Sequence, residues 1–122
     1  MDKAKKVMIA DDDPAIVDFV SITLEFEGYK VDSTLNGATL LSIENDLPDV
    51  VVLDIWMSGV DGRDICRQLK QKEKTRKIPI VMISASKDIK ESAFEAGAND
   101  FLAKPFELND LLNKIQRYTQ TG

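Results

Sequence analysis

Five side chains of this chain could act together on one chemical group: Asp11, Asp12, Asp54, Ser84 and Lys104. Each follows a short strand-like run: Asp11-Asp12 after Val7-Met8-Ile9-Ala10, Asp54 after Val50-Val51-Val52-Leu53, Ser84 after Ile80-Val81-Met82-Ile83, and Lys104 after Asp100-Phe101-Leu102-Ala103. Taken alone, Asp54 is most simply a residue that ends a strand or caps a turn. Two or three carboxylates brought together, however, repel one another, and keeping them ionised in a partly desolvated crevice calls for a cation. Ligands that are all oxygen suit a hard divalent ion. One or two carboxylates with water and a phosphoryl oxygen is the usual setting of Mg2+, so Mg2+ is the expected cofactor, with Mn2+ as a substitute. Lys104 adds a fixed positive charge and Ser84 a hydroxyl donor, both suited to the charge on a transferred phosphoryl group. A carboxylate can itself accept phosphoryl as an acyl phosphate, and Asp54, ending the central run, is the candidate acceptor.

The remaining composition narrows the chemistry. The 122 residues contain no histidine and one cysteine, Cys66. That removes Ser-His-Asp and Cys-His catalysis, histidine-ligated zinc and any disulfide within the chain. Cys66 itself reads as a small buried residue of a helix. With 16 Lys and Arg against 21 Asp and Glu, the net charge of −5 argues against direct nucleic-acid binding. The one basic stretch, Lys70 to Lys77, has no interleaved aromatic residue and reads as a solvated loop. No apolar run is long enough to span a bilayer or to serve as a signal peptide, so a cytoplasmic protein with no membrane association is expected.

The elements that must position these residues follow from the pattern of apolar runs. Asp13 suits a helix N-cap and Pro14 the first helical position; Ile16, Val17, Val20 and Leu24 then recur at helical spacing up to Gly28. Tyr29 to Thr34 reads as a second strand. Asn36-Gly37 opens a predicted second helix with apolar residues Leu40, Ile43 and Leu47. The Val50–Trp56 run is a strand buried on both faces, bounded by Pro48-Asp49 and Ser58-Gly59, and a third helix begins near Asp61-Gly62 with Ile65 and Leu69. After the fourth strand a weaker helix runs from about Lys87 to Ala96. The fifth strand is followed by a helix carrying Leu108, Leu111, Leu112 and Ile115. Five β-then-α units without a linker make an α/β fold, one parallel sheet with helices on both faces, and the carboxyl ends of its strands form a single rim. The length fits a single domain, 1–122, with its core from about residue 6 to 119.

With these motifs in place, the chain resembles the receiver domain of two-component response regulators from near Lys6 to near the C-terminus. The acidic pair resembles Asp11-Asp12. The phosphoacceptor segment of the D-x-x-M-P-G-x-D-G type resembles Asp54-Ile55-Trp56-Met57-Ser58-Gly59-Val60-Asp61-Gly62. The Ser/Thr-Ala pair resembles Ser84-Ala85, and the lysine before a cis-proline resembles Lys104-Pro105-Phe106. The resemblance implies a doubly wound five-stranded sheet in the flavodoxin-like order 2-1-3-4-5. It implies that Asp12, Asp54 and the main-chain carbonyl of Trp56 bind the metal, with Asp11 acting through water. It also implies that Ser84 and Phe101 form a switch pair remodelling the surface of the fourth helix, fifth strand and fifth helix. Phe101 reads equally as a core residue, and lacking a hydroxyl it would switch by packing alone.

Two positions depart from the family pattern. Ser58 stands where proline is usual, so the loop beside the site is expected to be less rigid. Trp56 is bulky at the position that tunes hydrolysis of the acyl phosphate, and its indole is expected to hinder the attacking water and to report Mg2+ by fluorescence. A phosphatase of the haloacid-dehalogenase type would need an acid where Trp56 stands. A flavin mononucleotide carrier would need a Ser/Thr/Gly-rich phosphate loop where Asp11-Asp12-Asp13 would repel phosphate. A scaffold that had lost phosphorylation would be expected to lack a site residue, and none is missing. The phosphoryl donor, in the absence of histidine, would be a phosphohistidine on a sensor histidine kinase or a histidine phosphotransfer protein. Ending after the fifth helix fits both a standalone regulator and a piece of a larger one, so the output stays open.

Overall fold

Every residue of Val50–Asp54 is buried, as its unbroken apolar sequence requires, and the strand it forms, β3, is the middle of the sheet. The computed structural model describes residues 4–57 and 59–119, apart from the side chain of Lys87. The expectation about Ser58 therefore lies outside the described residues. Strand β1 (Lys6–Ala10) pairs in parallel with β2 (Lys30–Thr34) on one side and with β3 on the other. On the far side β3 pairs with β6 (Ile80–Ser84), and β6 with β7 (Asp100–Ala103), all parallel. The spatial order β2-β1-β3-β6-β7 is the 2-1-3-4-5 winding expected for the five main strands.

Alternate residues of the sheet serve two cores. Val50 and Val52, with Val7, Ile9, Val81 and Ile83, pack beneath α1 (Pro14–Phe26) and α4 (Leu108–Thr119) through Val17, Val20, Leu24, Leu111 and Ile115. Val51 and Leu53, with Ile80 and Met82, face Ile65, Cys66 and Leu69 of α2 (Gly62–Gln71) and Ala93 of α3 (Lys90–Glu95). Each fully buried aliphatic side chain of this kind contributes about 2 kcal/mol by leaving water. The caps follow the sequence. Asp13 accepts a hydrogen bond from Ala15 N at 3.0 Å, Pro14 opens α1, and Gly28 at φ +96° closes it as Tyr29 N donates to Leu24 O.

Three segments differ from the sequence reading. The predicted second helix is only a 3-10 helix, Gly37–Ser42, and the chain turns extended at Ile43. Leu40 is buried, but Ile43 and Leu47 are only half-buried. The physical cause is a local competition. The Thr39 hydroxyl bonds Thr34 and the Asn36 carbonyl, and Asp46 adopts φ +56° shortly before Pro48, so the helical period cannot propagate. The segment before Gly97, expected as a weaker helix, divides into a 3-10 turn, Lys87–Ile89, and the six-residue α3. Beyond Asp54 the chain also forms an unforeseen hairpin, β4 (Trp56–Met57) against β5 (Val60–Asp61), with Trp56 opposite Asp61. No helix among the described residues is long and apolar enough to cross a membrane.

Candidate functional site

The register of the sheet brings the predicted residues to one rim. Ala10 pairs with Leu53, so Asp11 leaves β1 beside Asp54; Asp54 pairs with Ile83, next to Ser84; and Ser84 pairs with Ala103, next to Lys104. Asp11, Asp12 and Asp54 each offer a carboxylate oxygen, and all three lie within 4.8 Å of one another. Lys104 Nζ donates to Asp11 Oδ2 at 2.9 Å and to Asp54 Oδ2 at 3.4 Å. Asp11 Oδ1 accepts from Asp13 N at 3.0 Å, which fixes the loop between β1 and α1. Lys104 N donates to Ser84 O, and the Lys104–Pro105 peptide is cis, as the family resemblance implies.

Electrostatics at this rim are unbalanced. Two carboxylates about 5 Å apart repel by about 3 kcal/mol at the effective dielectric of a protein surface, and Lys104 is a cation hydrogen-bonded to both Asp11 and Asp54. Burial, and then the charge of Asp11, push the Asp54 carboxyl up to about 6, although Lys104 pulls in the other direction. Burial works to lower the Lys104 ammonium, but its hydrogen bond to Asp11 and the charge of Asp54 outweigh it and hold the ammonium above its ordinary value. A divalent cation fits this donor set. The ligand atoms are carboxylate oxygens, and a further positive charge would relieve the repulsion that Lys104 only partly offsets.

Ser84 is fully buried, its Oγ accepting from Ser86 N at 3.1 Å. Phe101, 8% exposed, belongs to the core on the α2 and α3 side and also lines a surface groove with Lys90 and Lys114. Trp56 is 52% exposed, with the Arg63 guanidinium 4.8 Å from its ring centroid.

Two contacts of this region are not legible in the sequence. Gly62 packs so closely under Asp54 that a Cβ there would strike the Asp54 main-chain oxygen and lie 2.9 Å from Ile55 Cα. The sequence places Gly62 at the end of the Asp54–Gly62 segment and at a helix start, but does not reveal this close approach. Arg63 bonds Asp61 through both Nε and Nη2, and its Nη1 reaches Ser92 Oγ of α3 at 3.0 Å. Nothing in the spacing of Trp56, Arg63 and Ser92 reveals that contact.

A family model described as the response regulator receiver domain matches residues 7–116. The DNA-binding dual master transcriptional regulator RpaA of Synechocystis sp. is 38% identical over 114 residues, 91% of this chain and 47% of RpaA. The structure of a putative response regulator from Chloroflexus aurantiacus is similar with a TM-score of 0.88 and 34% identity, covering 95% of this chain and 98% of that one. The receiver domain of the Pseudomonas aeruginosa sensor histidine kinase PA1611, which has a magnesium ion coordinated in its active-site cleft, gives a TM-score of 0.85 at 27% identity, covering 95% and 98% of the two chains. The chain spans half or less of the length of the curated relatives it matches.

Proposed function

The chain belongs to the response regulator receiver domain family, whose general function is to accept a phosphoryl group, and from that premise we propose that Asp54 is the acceptor and that residues 6–119 act as one receiver unit. One observation carries the reading above the rest. Lys104 bonds Asp11 and Asp54 at once, in a cluster of three carboxylates on a single rim.

In the proposed reaction a carboxylate oxygen of Asp54 attacks the phosphorus of a phosphohistidine on a partner. The P–N bond breaks, its electron pair stays on the imidazole, and an acyl phosphate forms on Asp54. Asp12 and Asp54, with the main-chain carbonyl of Trp56 and Asp11 through water, would hold a divalent ion, Mg2+ or Mn2+, which when bound neutralises charge on the phosphoryl oxygens. Lys104 follows the charge from the carboxylate to the transferred group, and the Ser84 hydroxyl turns from Ser86 N toward that group. Through these residues the domain assists its own phosphorylation and dephosphorylation. The partner is a sensor histidine kinase or a histidine phosphotransfer protein. The exposed Phe19, Ile22 and Phe26 of α1, the helix that begins at the rim, offer it an apolar surface.

Phosphorylation would then repack Phe101 and alter the face formed by α3, β7 and α4. The net charge supports a domain that acts through protein contacts and not by direct binding to nucleic acid, and the proposed setting is the cytoplasm, away from the membrane. Incubation with acetyl phosphate and Mg2+ followed by intact-mass measurement tests the assignment. A single phosphate adduct is expected on the wild type and none on Asp54→Asn. An equal adduct on the variant, or none on the wild type, overturns it.

A further inference from the structure

The Arg63 side chain engages all three nitrogens and one face of its guanidinium. Nε and Nη2 fork onto the Asp61 carboxylate at 3.0 and 2.7 Å, Nη1 donates to Ser92 Oγ at 3.0 Å, and the flat face lies 4.8 Å from the centroid of the Trp56 ring. Its three partners belong to different parts of the molecule. Trp56 and Asp61 face one another across the β4–β5 hairpin that leaves the acceptor, whereas Ser92 is on α3, 29 residues beyond Arg63. Ser92 is itself oriented, since its hydroxyl donates to Ile89 O at 2.9 Å and so presents a lone pair to Nη1. Asp61, the N-cap of α2, anchors the arginine from the other side by also accepting from Arg63 N at 2.9 Å.

We propose that Arg63 is a positioning residue that ties the Trp56 indole to α3, so that movement of α3 alters the setting of the residue two positions beyond the acceptor. The guanidinium is planar and its donors are rigidly spaced. Shifting Ser92 away from the hairpin must therefore either break the Nη1 bond or rotate the plane that covers the ring. A ligand bound to α3 would reach the acyl phosphate by this route, through the residue two positions beyond Asp54, and the linkage works in both directions. This inference rests on the assignment of Asp54 as phosphoacceptor only for its effect on phosphate lifetime; the tie itself is present in the resting protein.

Trp56 is the single tryptophan, so its fluorescence reports the indole directly. Acrylamide quenching is compared for wild type, Ser92→Ala, Arg63→Lys and the double variant, with thermal unfolding as a check on folding. Ser92→Ala, which removes a group that touches Arg63 and not the ring, is expected to raise the quenching constant about 1.5-fold. Lysine keeps a cation near the ring but cannot hold Asp61 and Ser92 together, so Ser92→Ala should have no further effect in the Arg63→Lys background. The decay of the phosphate adduct is expected to follow the same pattern, changing with Ser92→Ala only while Arg63 is present. Unchanged quenching in Ser92→Ala, or an equal change in both backgrounds, overturns the proposal. If Arg63→Lys does not fold, Ser92→Ala alone decides. A wild type that takes no phosphate contradicts the function proposed above, and the quenching data still judge the tie.

Discussion

At the scale of single residues, Asp54 is held in a setting unfavourable to its charge. Its carboxyl titrates near 6 in the folded chain against an ordinary 3.8, chiefly through burial and the neighbouring Asp11. The folded state thus binds this proton more tightly than the unfolded state does. The associated stability is fully present below about pH 4 and is lost as pH rises through about 6. In metal-free solution, urea unfolding should show the wild type losing at most about 3 kcal/mol from this group between the two limits. Asp54→Asn should lose less across the same window, and an identical pH slope for both proteins would count against this account of the rim. Trp56 gives a second expectation. It stands two residues beyond Asp54, with its indole under the Arg63 guanidinium. Trp56→Ala should lose its phosphate about threefold faster, a barrier lower by about 0.7 kcal/mol, as followed by adduct decay after removal of acetyl phosphate. No acceleration would sink the shielding role.

At the scale of elements, strand ends and the starts of the following helices set the site. Asp11, Asp54, Ser84 and Lys104 were legible because each closes a strand-like run, and a parallel sheet sends all such ends to one rim. What could not be read depends on contacts between distant segments. The hairpin Trp56–Asp61 hides in what looks like the tail of a strand, and the Arg63–Ser92 bond joins elements separated by a whole strand. The segment after Asn36 misled for the opposite reason. Leu40, Ile43 and Leu47 keep a helical spacing, but local side-chain bonds and the turn at Asp46 end the helix at Ser42. Gly62 shows what the helix start demands. A methyl group there meets the backbone of Asp54 and Ile55, which cannot swing aside like a side chain. Gly62→Ala is expected to destabilise the protein by about 2 kcal/mol or more, by chemical unfolding, and to lower the yield of phosphate adduct. Wild-type stability with full yield would show that the close approach is dispensable.

At the scale of the whole molecule, the two cores divide the work. The α1 and α4 side packs continuous aliphatic layers, whereas the α2 and α3 side carries Phe101, the short α3 and the groove beside Lys90. The face of α3, β7 and α4 is laced by charges. Asp100 accepts from Lys114 at 3.0 Å and from Arg117 at 3.3 Å, so a shift of either element rearranges ion pairs as well as packing. Hydrogen exchange of the phosphorylated protein should therefore change in α3, β7 and α4 and leave β2 and α1 near their resting protection. Changes confined to the β4–β5 hairpin would contradict a switch of this face.

All of these expectations depend on which atom receives the phosphoryl group. The most direct measurement is to load the protein with acetyl phosphate and Mg2+, reduce the acyl phosphate with borohydride and locate the reduced residue by peptide sequencing. The account predicts that position 54 alone is converted to homoserine. Conversion at Asp11 or Asp12, or a phosphorylated protein with no converted residue, would contradict it.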